Sequence, residues 1–128
     1  MYQKDYILRL IEEAAKVLAR IAGLMEKGQA GKAQEELDYI WDELLKLDRD
    51  ELLNDLDRGR MNFDTGLAET VADLLKTEGE TELTKGNKAS AFRLYTAALH
   101  LYGQADIITR TWSPERKDKM DEIRKIVQ

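Results

Sequence analysis

His100 is the single histidine of the 128-residue chain. Histidine is the residue type whose ordinary pKa lies near neutral pH. On a helix His100 would share a face with Arg93, seven residues earlier. General acid–base catalysis needs a second titrating group beside it, and no carboxylate lies between Glu82 and Asp106. A di-iron bundle would need a Glu-x-x-His motif, but Ala97 stands three residues before His100. We therefore predict no catalytic residue and no enzyme, and we keep His100 and Arg93 as candidates for binding.

Acidic residues are concentrated between residues 48 and 57, which raises the question of a calcium site. An EF-hand loop places oxygen ligands at alternating positions and then requires a glycine and a distal glutamate. Here Leu52 occupies the third alternating position, and Leu53 stands where the glycine is required. The chain has no cysteine, and its one histidine cannot form a His-pair zinc motif. We predict no metal site and no cofactor, and we interpret the acidic residues as a helix cap and solvated side chains.

Lys85, Lys88 and Arg93 form a basic stretch without acidic residues in a chain whose net charge is −5. This stretch could contact the acidic segment 48–57, either within one subunit or across a dimer, or it could bind an anionic ligand. It could equally be a solvated face with lysine near a helix end. All three interpretations remain open.

The net negative charge argues against a nucleic-acid partner and against binding to an anionic membrane surface. The longest segment without a formal charge, Leu94–Ala105, is far shorter than the roughly 20 residues that a membrane span needs. Charged residues at Lys4 and Asp5 come too early for a signal peptide. We therefore predict a cytoplasmic protein that binds neither nucleic acid nor membranes.

Hydrophobic periodicity predicts an all-α chain, because apolar residues recur at spacings of three and four and only one proline interrupts them. Lys27-Gly28 and Lys85-Gly86 each join two helical segments through a short turn, which predicts two antiparallel hairpins. We predict a single domain, 1–128, with hairpin 1 at about 3–46, a connecting helix at about 48–57, hairpin 2 at about 64–111 and a C-terminal helix at about 114–127. The predicted helix caps are Asp48, Asp64 and Ser113.

The two predicted hairpins repeat each other at an offset of 58 residues. Any helical hairpin needs a glycine turn and an apolar face, so two copies alone are a weak indication of a repeat. The matched pairs are Gly28 with Gly86, Ala33 with Ala91, Leu37 with Tyr95, and Trp41 with Leu99. The second helix of hairpin 1 should extend to Lys46 with Ala33, Leu37, Ile40, Trp41 and Leu44 on its buried face.

The second hairpin resembles a tetratricopeptide repeat over residues 69–103, and seven residues fall at the spacings of that family's signature. These are Leu75, Gly79, Gly86, Ala91, Tyr95, Ala98 and Leu99. The match departs at Glu82, where the family usually has an aromatic residue, and at Gly103, where it usually has proline. The opening segment 2–12, followed by such a hairpin, is also similar to an uncharacterised bacterial family of small tetratricopeptide-like proteins.

The tetratricopeptide resemblance implies a stack of two hairpins closed by the C-terminal helix, with a peptide-binding groove along the first helix of each hairpin. On this chain the groove residues would be Ala15, Leu18, Ala22 and Met25, followed by Lys76, Glu80, Leu83 and Thr84. The residue pairs of the family's peptide-carboxylate clamp are absent, which disfavours that ligand class. The apolar first half of the groove should be covered by the last helix or by a second subunit, since a large bare apolar patch is costly.

Trp41 and Trp112 are the residues at which interface energy would concentrate, although Trp41 suits a core position as well. Trp112 precedes the Ser113 cap as a hydrophobic staple would, so it should pin the last helix to the body. The expected function is a non-catalytic protein-interaction or self-associating module, with a homodimer as one form. The alternative is a small-molecule or anion-binding domain that uses Arg93 and His100. Candidate binding residues are Lys76, Glu80, Thr84, Arg93 and His100, and interface candidates are Leu18, Ala22, Met25, Trp41 and Trp112.

Overall fold

The computed structural model describes residues 4–59, 67–110 and 112–128. Every regular element within these ranges is helical, which confirms the predicted all-α class. The elements are α1 (Lys4–Glu26), α2 (Ala30–Tyr39) continued by a π-turn (Ile40–Leu45), α3 (Arg49–Asp57), α4 (Leu67–Thr84), α5 (Lys88–Thr109) and α6 (Pro114–Val127). The predicted cap Asp64 lies outside the described residues.

The turn between α1 and α2 and the turn between α4 and α5 have the same backbone geometry. Gly28 and Gly86 have φ angles of 73° and 85°, which glycine adopts without the strain that a side chain would add. In both turns the residue after the glycine donates its backbone N–H to a carbonyl five residues earlier, at 2.9 Å. Each turn reverses the chain, so that α1 packs against α2 and α4 packs against α5. The predicted glycine turns are therefore confirmed.

One hydrophobic core is shared by all the described helices. It contains Ile21 of α1, Leu37 of α2, Leu52 of α3, Leu75 of α4, Tyr95 of α5 and Ile123 of α6, each at most 1% exposed. Helix α3 begins at the predicted cap Asp48, whose side chain accepts a hydrogen bond from the backbone N–H of Glu51 at 3.0 Å. Removal of these apolar side chains from water is the main favourable term that holds the helices together.

Helices α4 and α5 approach each other closely where Gly79 meets Tyr95. A Cβ atom on Gly79 would lie 3.0–3.1 Å from three atoms of the Tyr95 ring, so the missing side chain makes room for the ring. Fifty-eight residues earlier stand Ile21 and Leu37, which are also fully buried. Compared with the second helix pair, the first pair therefore has a larger side chain on its first helix (Ile21 for Gly79) and a smaller one on its second helix (Leu37 for Tyr95).

The end of the second helix differs from its prediction. A regular α-helix to Lys46 would bury Leu44, but Ile40–Leu45 forms a π-turn and Leu45 is the buried residue. A π-turn contains an additional residue compared with an α-turn, which rotates Leu45 onto the buried face that carries Ile40, five residues earlier. Leu44 is only partly buried. Lys46 then ends the helix in a left-handed conformation, with a φ angle of 53°.

Helix α6 begins at the predicted cap Ser113, which accepts a hydrogen bond from the backbone N–H of Arg116 at 3.2 Å. The prediction that Trp112 pins this helix to the body is wrong, because Trp112 is 70% exposed. A staple pairs the residue before the cap with an apolar residue at the fourth position of the helix, and that position holds the exposed Lys117. Ile123, which is fully buried, attaches α6 to the core.

Candidate interaction surface

Five residues of α1 form an apolar line on the outside of this helix. They recur at spacings of three and four and therefore lie on one side of α1. Leu8 is 48% exposed, Ile11 is half-buried, and the three alanines are exposed. We call Leu8, Ile11, Ala15, Ala19 and Ala22 the α1 stripe. Single exposed apolar residues are ordinary in proteins, but a continuous line of them marks a candidate contact site.

The three α1 residues predicted as interface candidates divide between the core and the surface. Leu18 and Met25 are partly buried and pack against the core, whereas Ala22 is exposed. The Oγ1 of Thr81 in α4 lies 3.9 Å from the Sδ of Met25, at the level of a weak hydrogen bond to sulfur. Helix α1, which carries the α1 stripe, therefore packs against α4.

The predicted binding residues of α4 differ in exposure: the side chain of Lys76 is 14% exposed, Glu80 is half-exposed and Thr84 is exposed. Lys76 Nζ is 2.8 Å from Glu80 Oε1 and 3.4 Å from Glu122 Oε2 of α6. Burial lowers the pKa of Lys76, but the two carboxylates more than offset this, so the pKa lies above its usual value. Thr84 is exposed and donates its hydroxyl to the backbone carbonyl of Glu80 at 2.9 Å. Glu80 and Glu122 thus share one lysine, while Thr84 is occupied within its own helix. Leu83, predicted to lie in the groove, is 37% exposed.

Three ion pairs join α6 to α4 at a nearly constant separation in sequence. Arg116 pairs with Glu69 at 3.5 Å, Lys119 with Asp73 at 2.9 Å, and Lys76 with Glu122 at 3.4 Å. From one ion pair to the next, the residue number increases both in α4 and in α6. Helix α6 therefore runs parallel to α4 and lies along it.

The side chains around these ion pairs carry an excess of negative charge. Among the described residues in this network, five carboxylates surround three cations, which leaves a net charge of −2. We call this group the charged face: Glu69, Asp73, Lys76, Glu80, Asp106, Arg116, Lys119 and Glu122. The half-exposed Glu80 and Glu122 remain open to a cation from outside. The charged face lies on α4, α5 and α6, and α4 also packs against α1, the helix that carries the α1 stripe.

Two buried tyrosines of α5 lie beneath the charged face in different environments. The hydroxyl of Tyr102 bonds to a carboxylate oxygen of Asp73, which also accepts from Lys119 at 2.9 Å. The Tyr95 hydroxyl has no hydrogen-bond partner among the described residues. Burial, with the nearby charges of Glu80 and Glu122, raises the pKa of Tyr95 from 10.0 to about 12.

Removing these two hydroxyls should change stability in opposite directions. Tyr95→Phe should raise the free energy of unfolding by about 1 kcal/mol, because it removes a buried polar group that lacks a partner. Tyr102→Phe should lower it by about 1–2 kcal/mol, because its bond to a carboxylate is lost. Urea unfolding followed by circular dichroism measures both. If both variants changed the free energy of unfolding in the same direction, the assignment of one hydrogen-bonded and one unpartnered hydroxyl would be wrong.

The Tyr95→Phe variant should also differ from the wild-type chain at alkaline pH. Between pH 10 and about 12, the unfolded chain releases the Tyr95 proton while the folded chain retains it. The folded state then binds more protons, so rising pH lowers the stability of the wild-type chain across this window. Tyr95→Phe should lose less stability than wild type over the same pH range.

Trp41 belongs to a polar cluster inside the core, which is the core position that its sequence pattern allowed as the alternative to an interface. It is 2% exposed, and its Nε1 donates to Glu78 Oε1 at 2.8 Å. The other carboxylate oxygen of Glu78 accepts from Arg49, whose guanidinium is also 3.9 Å from Asp38. Burial raises the pKa of Glu78, although Arg49 and Trp41 act in the opposite direction. A tryptophan with a fixed acceptor this deep in the fold has a structural role.

Sequence reasoning did not single out Glu78, although one signal was present. Glu78 stands four residues after Leu74 and three after Leu75, on the apolar face of α4. A carboxylate on such a face needs a donor from another element. The pattern does not say which donor, because Trp41 is 37 residues away in sequence.

The structure does not bring Arg93 and His100 into one site. Arg93 donates to Asn54 at 2.9 Å and to Asp57 at 3.1 Å, so the predicted contact between the basic and acidic stretches forms within the subunit. Arg93 borders a cleft of about 440 Å³, together with Arg49 and Lys85, and His100 is not among the residues that line this cleft. His100 is exposed, and its Nε2 is 3.2 Å from Gln104 Nε2. An anion in the cleft would have to compete with a carboxylate at each of its cations.

Within residues 4–59, 67–110 and 112–128, no group of three or more acidic, histidine or cysteine side chains is arranged to hold a metal ion. None of the helices in those ranges combines the length and apolar character that a membrane crossing requires. No known protein family, curated protein or solved structure matches the chain. What the α1 stripe and the charged face do must therefore be inferred from their own side chains.

Proposed function

We propose that the chain is a non-catalytic protein-interaction module with a tetratricopeptide-like stack, and that it binds proteins through the α1 stripe and the charged face. The observation that carries this proposal is the exposed apolar line on α1, a helix that packs against α4, together with the excess of carboxylates on the charged face of α4 and α6. The cytoplasmic location and the lack of nucleic-acid binding remain predictions of the sequence.

The tetratricopeptide-like arrangement is supported by the repeated turn and by the course of α6. Both glycine turns have the same hydrogen bonds at an offset of 58 residues. This offset exceeds the roughly 34 residues of a tetratricopeptide repeat, because α3 is inserted between the helix pairs. Helix α6 runs parallel to α4 and packs on α5, as the first helix of a third unit would.

The proposed partner surface is defined by two kinds of contact. Apolar side chains would cover the α1 stripe, since burying them is favourable and needs no polar partner. A lysine or arginine of the partner would approach Glu80 and Glu122, which have one lysine between them in the free chain. The non-catalytic role is supported by the buried groups with shifted pKa values: Glu78, Tyr102 and Lys76 are each bound by neighbours within the fold, and the unpartnered Tyr95 hydroxyl is closed off from solvent.

Two assays on the purified chain test the proposal. A displayed peptide library is selected against the immobilised protein, and sedimentation velocity detects self-association. Ala22→Glu should weaken either kind of association by about tenfold or more, because it places a charge in the α1 stripe. Ala89→Glu is the matched control, since Ala89 is an exposed alanine on α5, and it should leave association unchanged.

The proposal is wrong if the chain neither selects peptides nor self-associates. It is also wrong if association survives Ala22→Glu at full strength. Circular dichroism of both variants shows that the helices are retained, so that loss of binding is not loss of the fold.

A further inference from the structure

We propose that the α1 stripe is covered by the α1 stripe of a second copy of this chain, in a two-fold antiparallel pairing centred on Ala15. This inference rests on the proposed function and names the partner. It follows from the order of side-chain sizes and charges along α1.

The α1 stripe is self-complementary in size. In an antiparallel two-fold pair, a residue that precedes Ala15 meets the residue that follows Ala15 by the same number of positions. Leu8 then lies opposite Ala22 of the partner subunit, and Ile11 lies opposite Ala19 of the partner subunit. Each large side chain meets a small one, so the two helices interdigitate. Ala15 at the centre lets the two backbones approach closely.

The residues beside the α1 stripe are self-complementary in charge. Glu12 and Lys16 are exposed and lie on the same flank of the stripe. The two-fold axis places this flank of one α1 helix next to the same flank of the other, so Glu12 approaches Lys16 of the partner subunit. In the antiparallel pair these two positions are offset by two residues, which is about 3 Å along the helix axis at a rise of about 1.5 Å per residue. The pairing occurs twice in the dimer.

In the single chain, Lys16 is free to make this exchange. Its ammonium group lies 3.5 Å from Glu13, and the two side chains are 68% and 54% exposed. A pair this exposed contributes little to stability, so Lys16 can turn to a new partner. The α1 stripe spans about 21 Å along one helix. Two such stripes bury less surface area than a standard protein–protein interface, so we expect a dissociation constant in about the micromolar range.

Sedimentation equilibrium over a hundredfold concentration range tests the pairing. The wild-type mass should rise from 14.7 kDa toward twice that value. Glu12→Lys and Lys16→Glu should each weaken association by about tenfold, because each single change places like charges opposite one another. Both substitutions are on exposed positions, so the fold should be retained, and circular dichroism checks this.

The decisive sample is an equimolar mixture of the two single variants. One variant carries two lysines at these positions and the other carries two glutamates, so the mixture should form a heterodimer about as strongly as wild type dimerises, while each variant alone associates about tenfold more weakly. Only pairing between two chains predicts this rescue. Ala89→Glu should dimerise as wild type does.

A constant mass of 14.7 kDa at all concentrations would overturn this inference, as would a dimer that both charge variants leave intact. Failure of this dimer and failure of the proposed function give different results. If the chain is monomeric and still selects peptides that Ala22→Glu abolishes, the interaction surface stands and its occupant is a foreign protein.

Discussion

Replacing Glu78 by alanine should lower the free energy of unfolding by about 3 kcal/mol. The change leaves the buried Trp41 Nε1 without an acceptor and removes the carboxylate that binds Arg49. Removing one partner of a buried charged pair costs about 3–5 kcal/mol, and the lower end applies because Arg49 is one-third exposed and can regain water. Urea unfolding followed by circular dichroism gives the value.

A double-mutant cycle separates this cluster from simple loss of packing. Trp41→Phe removes the indole N–H, so Glu78→Ala should cost at least about 1 kcal/mol less in that background than in wild type. Glu35→Ala, at an exposed position of α2, is the control and should change stability by less than about 0.5 kcal/mol. Strict additivity of Glu78→Ala and Trp41→Phe would refute the importance of their hydrogen bond.

The second large effect is expected at Gly79. Gly79→Ile should destabilise the fold by about 3 kcal/mol, because even its Cβ would lie 3.0–3.1 Å from the Tyr95 ring. That ring is fully buried, so it cannot withdraw into solvent. The cost should be visible as a lower midpoint of thermal unfolding and of urea unfolding.

The first helix pair supplies the compensating change for Gly79→Ile. Ile21 and Leu37 occupy the positions that Gly79 and Tyr95 occupy in the second pair, and they are fully buried. Adding Tyr95→Leu to Gly79→Ile should therefore recover more than half of the lost stability, although Tyr95→Leu alone should cost about 2–4 kcal/mol through the cavity it leaves. If the double variant is as unstable as the sum of the single ones, the two helix pairs are not equivalent in packing.

The features that the sequence predicted correctly are those that depend on a few neighbouring residues. Gly28 and Gly86 end their helices because the left-handed turn conformation is set by the residue itself. Asp48 and Ser113 cap helices because each side chain reaches a backbone N–H three residues later. Such requirements can be read from a single stretch of sequence.

The features that the sequence did not predict depend on contacts between distant segments. Glu78 meets donors that lie 37 and 29 residues away, and no local spacing encodes that choice. Trp112 is an exception, because Lys117 stands at the helical position where a staple needs an apolar residue, and this can be read from the local sequence. On the charged face, the adjacency of Lys76 and Glu80 follows from helical spacing, whereas the approach of Glu122 depends on the direction of α6.

The π-turn at Ile40–Leu45 shifts the register of the first helix pair relative to the second. Tyr102 is fully buried in the second pair and its counterpart 58 residues earlier is Leu44, yet Leu45 is the buried residue in the first pair. The two helix pairs therefore differ by one residue in register beyond Trp41, and the π-turn accommodates this difference while Ile40, Trp41 and Leu45 stay buried. Asp42 and Glu43, the exposed residues of that turn, take up the extra residue on the solvent side of the helix.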